Sequence, residues 1–138
     1  MEILDEVTFD IERGKIREFV LATHAGDTVH TSVEAARDAG FPDVPATATH
    51  VVVAGHYRDQ RAFVAKLGLA YDRVVVGSVK WTYFRPLCAG DSVRGVRRVA
   101  ADTRKRNLRF VTLETDYLDA AGDCAVRVRE VLIERGAQ

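Results

Sequence analysis

The sequence predicts an α+β fold, with helices in the first half and an antiparallel sheet in the second. Three observations lead there. Before position 70 the apolar residues recur at helical spacing; from 72 onward, β-branched and aromatic residues fill four long runs; and the turn-forming groups LCAGD, TRKRN and AAGD separate those runs. A length of 138 residues suits one domain, 1–138, with a core of its own.

Taken in order, the span 10–23 places Ile11, Ile16, Phe19, Val20 and Ala22 between charges, which is the pattern of a short amphipathic helix. Thr31 followed by Glu34 has the capping-box form; Ala35, Ala36 and Ala39 favour helix, and Gly40 suits its end, so a second short helix is expected over 32–39. Two prolines interrupt FPDVPATATH. Beyond them Thr47 or Thr49 is positioned to cap a longer helix through HVVVAGHYRDQRAFVAKLG to Gly68, whose first turns, Val51 to Ala54, are apolar all round and belong inside. The remainder, RVVVGSVKWTYFRP, DSVRGVRRVAAD, NLRFVTLETDYLD and DCAVRVREVLIER, reads as a four-stranded meander. In its last strand Cys124, Val126 and Val128 alternate with Ala125, Arg127 and Arg129, giving one buried face and one wet one.

Composition excludes several classes of function. Apolar residues make up 47% and charged residues 29%, a globular balance. Lys plus Arg and Asp plus Glu number 20 each, so no net field draws in nucleic acid or an anionic membrane. The acidic start MEILDEVTFD is unlike a signal peptide, and nowhere do about 18 apolar residues follow one another. A cytoplasmic protein is expected. Cys88 and Cys124 lie far apart without CxxC spacing, which predicts reduced, partly buried thiols, no zinc site and no cofactor.

A long apolar-fronted helix ahead of long antiparallel strands is buried when the sheet curls around it. That is the hot-dog arrangement. Its open sheet edges are liabilities in a monomer, so pairing with a second copy or a related subunit is expected.

The loop ATHAGDTVHTSVEAARDAG gathers Asp27, His24 and His30 ahead of the second helix. Asp27 and His30 suit an acid/base pair. Equally, Asp27 after Gly26 suits a turn or cap, and His30 a hydrogen-bonded loop residue. His24 and His56 read as surface residues, whereas His50 falls in the first turn of the apolar helix, where a polar side chain often satisfies backbone groups. RKRN at 104–107 reads as a solvated hairpin turn; with Arg94, Arg97 and Arg98 it is also a candidate phosphate contact.

Read together and in order, FDIERGKIREFVLAT, GDTVH, EAARDAGF, VPATAT, LGLAYDRVVVG, YFRPLCAGDSV and LETDYLDAAGD resemble the MaoC-like dehydratases. The similarity is to the branch of N-terminal dehydratase domains and (3R)-hydroxyacyl-ACP dehydratase subunits, and it spans about 8 to 135. It implies a hot-dog fold, acyl-CoA or acyl carrier protein as substrate carrier, and a homodimer or a heterodimer with a related hot-dog subunit. Catalytic members of that family carry Asp and His in a D-x-N-P-x-H loop. Here His30 falls where the motif places its His, but Asp27 precedes it by three residues rather than five, and Asn-Pro is absent. The family's thioester oxygen is met by a backbone N–H at the start of the central helix, which maps onto Ala46, Thr47 and Ala48, with His50 and Gly77 as further substrate-side positions. Val76 stands before Gly77 where relatives often have His.

Three functions follow from this reading. The first is a (3R)-hydroxyacyl-thioester dehydratase, or R-specific enoyl-thioester hydratase, worked by Asp27 and His30. The second is a non-catalytic accessory subunit of a heteromeric dehydratase, favoured by the shortened loop. The third is a thioesterase or cyclase reusing the same pocket.

Overall fold

A computed structural model describes residues 2–136. Five strands form one antiparallel sheet in the order β1-β3-β4-β5-β2, where β1 is Ile3–Asp10, β2 Val74–Tyr83, β3 Ser92–Lys105, β4 Leu108–Leu118 and β5 Cys124–Arg135. The expected meander is β2 to β5. The fifth strand, β1, was not expected and is added at one edge, paired with β3 from Ile3↔Arg98 to Asp10↔Ser92. Its cause is period-two alternation: Val7 and Phe9 are buried, while Glu6, Thr8 and Asp10 face out.

The helical layer lies against this sheet. α1 (Arg13–Thr23) buries Ile16 and Val20 and ends at His24, which takes the left-handed conformation and donates its backbone N–H to Val20. The side chain of Arg13 grips Asp43 with two hydrogen bonds, 3.0 and 2.7 Å, tying the start of α1 to the proline-bounded loop. α2 (Val33–Asp38) is capped by Ser32, whose hydroxyl accepts from the Ala35 N–H, rather than by the expected Thr31.

The expected long helix is two shorter pieces. His50–Tyr57 winds as a 3-10 segment, Arg58 is extended, and α3 (Gln60–Lys66) restarts with Asp59 as its cap. Three consecutive valines lose rotamer freedom in an α-helix, Gly55 adds backbone freedom, and the Asp59 carboxylate offers Ala62 N–H a better partner than a continuing helix does. Neither Thr47 nor Thr49 caps the segment through its side chain.

The core has two parts. One joins α1 and the 3-10 segment to the sheet through Phe9, Ile16, Val20, Val51, Val93 and Val126; the other packs Phe63, Val64 and Leu69 on Val111, Leu113 and Leu132. In β4 every second residue from Val111 to Tyr117 is buried, as a one-sided sheet requires. β5 departs from simple alternation. A register shift opposite Tyr117 and Leu118 lets Ala125 and Val126 both go inside. Cys88 is buried, Cys124 is half-buried, both are free thiols, and burial pushes both up from the ordinary thiol range. No helix among the described residues is long and apolar enough to cross a membrane.

Candidate active site

The loop between α1 and α2 is held by its own side chains. Asp27 caps a single 3-10 turn, Thr28–His30, by accepting the Val29 N–H at 3.1 Å. His30 reaches 15 residues along the chain, where its Nδ1 lies 2.8 Å from the Pro45 carbonyl oxygen. A carbonyl only accepts, so Nδ1 carries the proton in this contact and Nε2 of the neutral ring is left as a proton acceptor. Pro45 is itself fixed by a bridge to Cys88, flanked by Ala46 N–H to Leu87 O at 2.7 Å and Ala89 N–H to Val44 O at 2.8 Å.

These segments enclose a cleft of about 740 Å³. Asp27 and His30 line it together with Ala46, Thr47, Ala48 and His50. Thus six of the seven residues expected at a site share one cavity; no hydrogen bond joins the Asp27 and His30 side chains among the described residues. Asp27 is exposed at the mouth and His30 half-buried.

Of the expected amide donors, Ala46 is engaged by Leu87, whereas the Thr47 and Ala48 N–H groups have no protein acceptor among the described residues. The Ala48 carbonyl accepts a hydrogen bond from the Tyr83 hydroxyl at 2.8 Å. The Thr47 hydroxyl is buried and unpartnered. Beside it His50 is 1% exposed, with neither ring nitrogen hydrogen-bonded and the Phe19 ring edge-on at 5.4 Å. Burial, with the positive charge of Lys15 added, holds the His50 pKa down to about 4, so the ring is neutral at pH 7.

Gly77 lies outside the cleft of its own chain. It occupies a bulge where the β2–β5 register shifts between Val76 and Ser78, and a Cβ there would meet Ile133 Cδ1 at 2.5 Å. The sequence reading also missed residues the cleft uses: Tyr83, Phe84 and Phe41 form its aromatic wall. For Tyr83 and Phe84 the signal in the sequence was an aromatic pair just ahead of Arg85 and Pro86. Of the other expected positions, RKRN spans the end of β3 and the β3–β4 turn, with Arg106 at φ 57°, and Arg97 is buried and bonded to Asp5. No group of three or more His, Cys, Asp or Glu among the described residues is placed to hold a metal ion.

Residues 1–128 match the model of the FAS1-like dehydratase domain region. The chain belongs to that family. A UPF0336 protein of Saccharopolyspora erythraea is 33% identical over 129 residues, covering 93% of this chain and 83% of the relative. Among solved structures, the truncated HadBC (3R-hydroxyacyl-ACP dehydratase) complex of Mycobacterium tuberculosis superposes with a TM-score of 0.81 at 20% identity, over 92% of this chain and 90% of the other. A MaoC-like dehydratase from Rhodospirillum rubrum superposes with a TM-score of 0.70 at 20% identity, over 100% of this chain and 96% of the other. The fold is therefore the hot-dog fold of those dehydratases.

Proposed function

We propose that this FAS1-like dehydratase-family chain interconverts a (3R)-hydroxyacyl thioester and its 2-enoyl thioester, with the acyl group carried on CoA or acyl carrier protein. The observation that carries the reading is the His30 ring: Nδ1–H is spent on the Pro45 carbonyl at 2.8 Å, and the basic Nε2 belongs to a residue sharing its cleft with Asp27. In the dehydration direction His30 Nε2 takes the C2 proton. Negative charge then grows on the thioester oxygen, and the unengaged N–H groups of Thr47 and Ala48 are its donors. The proton passes to the departing 3-hydroxyl, which leaves as water between the ring and the Asp27 carboxylate. Hydration runs the same steps backwards. The HadBC complex, a (3R)-hydroxyacyl-ACP dehydratase of the same fold, supports the substrate class and a working unit of two hot-dog chains.

One observation favours a second reading, that of an accessory subunit. The Asp27 carboxylate is committed to capping Val29 and stands three residues from His30, closer than in the family loop. Turnover of a 2-enoyl thioester by the purified chain separates the two. Asp27→Asn and His30→Ala are each expected to lower kcat by roughly a hundred- to ten-thousandfold while the fold is kept, with the double variant little worse than the worse single one. Full activity in either single variant removes the assignment. A chain inactive alone but active once a second hot-dog subunit is added makes the accessory reading the correct one.

A further inference from the structure

A second cavity, of about 260 Å³, lies between the 3-10 segment and the sheet. Arg58, Arg97, Thr115, Tyr117, Trp81 and Glu130 contribute its polar and aromatic walls. Arg97 is settled: it pairs with both oxygens of Asp5 and lies over the Phe63 ring. Arg58 is not. Its side chain is only 9% exposed, and its Nε and one terminal nitrogen are fully buried without a hydrogen-bond partner. The nearest carboxylate oxygen, Asp5 Oδ2, is 3.7 Å from Nε and already receives Arg97. Glu130, across the cavity, forms no ion pair with either arginine among the described residues, and burial pushes its carboxyl up despite both guanidinium groups.

A buried guanidinium with two nitrogens lacking hydrogen-bond partners, held only by a 3.7 Å ion pair to an already engaged Asp5 and by the nearby Tyr117 hydroxyl, is costly, because it has lost water and recovered little in exchange. Such a violation points to a ligand that completes the pairing. We propose that this second cavity is a carboxylate-binding site anchored by Arg58. The planar guanidinium presents paired donors to a planar acid, and the cavity, roughly nine waters' share of liquid volume, holds a carboxylate with a few carbons but no nucleotide.

Two sources supply that chemistry. Tyr83 and Val126 line the first cleft, while Trp81 and Val128, two residues further along β2 and β5, line the second. That offset is roughly 7 Å along a strand. The acid is therefore either a free short dicarboxylate or the far end of an acyl chain whose thioester sits at His30; only the second source rests on the dehydratase reading.

Calorimetric titration of the whole protein with glutarate tests the site, with dimethyl glutarate as the uncharged control. Glutarate is expected to bind, the diester to bind at least tenfold more weakly, and Arg58→Met to abolish glutarate binding. Met replaces a poorly paired buried charge with an apolar stem, so the ligand-free Arg58→Met protein is expected to melt at the same temperature as the parent or higher. Equal binding of acid and diester by the parent protein overturns the proposal, whether or not the variant folds. So does a lowered melting temperature in ligand-free Arg58→Met, which would make Arg58 a structural partner of Asp5, or loss of a dimer in that variant, which would mean that a partner chain fills the cavity. Glutaryl-CoA binding more than tenfold tighter than glutarate places the acid at the end of an acyl chain, and equal affinities mark it as a free acid. Because Asp27 and His30 line only the first cleft and Arg58 only the second, glutarate binding is expected to be the same in Asp27→Asn and His30→Ala as in the parent, which keeps this test separate from that of the acid/base pair.

Discussion

His50 concentrates the tension between packing and chemistry at the scale of one residue. It borders the candidate active site, yet both ring nitrogens are buried without partners, and burial together with Lys15 holds its pKa to about 4, against 6.5 for an imidazole in water. In the unfolded chain it binds a proton below about pH 6.5; in the folded chain it does so only below about 4. Between those values the unfolded state holds more protons, so the neutral ring's contribution is complete above 6.5 and is lost as the pH falls towards 4. The loss is on the order of 3 kcal/mol. Urea melts at pH 7 and pH 4.5 check this: the parent protein is expected to lose stability between them, and His50→Leu to lose much less. Asp43, which Arg13 and the Val44 N–H hold to about 2, is depressed from 3.8, so its own loss falls at lower pH and does not blur the comparison. Equal slopes in the two proteins would refute the assignment. The same scale shows what a sequence can disclose about a site. Asp27, His30, Thr47 and His50 were legible because a motif order places them, while Tyr83 was not, since its role is a bond to Ala48 from 35 residues away. Arg58 was less legible still: burial of a charged side chain leaves no periodicity to read.

At the scale of elements the strands were readable and the central helix was not. β2 to β5 carry β-branched and aromatic residues between strong turns, and local pattern there agrees with the tertiary pairing. β1 was equally written in Val7 and Phe9, but only two of its eight residues are buried and its acids obscure the alternation. In the stretch 50–66, apolar continuity suggested one helix, although HVVVAGHY packs its valines from a tighter 3-10 winding and Asp59 starts afresh. Asp59→Ala discriminates between these arrangements. Alanine is the better helix former, so in a continuous helix the change would be neutral or stabilising. With Asp59 as the cap of α3, accepting Ala62 N–H at 3.0 Å, the variant is expected to lose about 1 kcal/mol in a denaturant melt. A gain in stability would return the two pieces to one helix.

The whole molecule has two unlike sheet edges. β1 presents Glu6, Thr8 and Asp10 between its buried residues, a charged and self-protecting border. β2 presents Val75, Val76 and Val79, all exposed, with Tyr83 and Phe84 exposed at its far end. An apolar strand edge with unpaired backbone groups is a template for another strand, and the Gly77 bulge interrupts it only near its start. The expected assembly therefore joins β2 of one chain to β2 of a second copy or of a related hot-dog chain, giving a sheet continuous across both. Such pairing also brings a second chain close to the exposed Tyr83–Phe84 wall of the candidate active site. Light scattering of the purified protein is expected to give twice the 15.3 kDa of one chain. Val76→Lys combined with Val79→Lys places two charges on the β2 edge and is expected to yield a folded monomer, because neither residue belongs to the buried core. A parent protein that stays monomeric at micromolar concentration, both alone and mixed with a related hot-dog subunit, would show that the β2 edge is closed by something other than a second sheet.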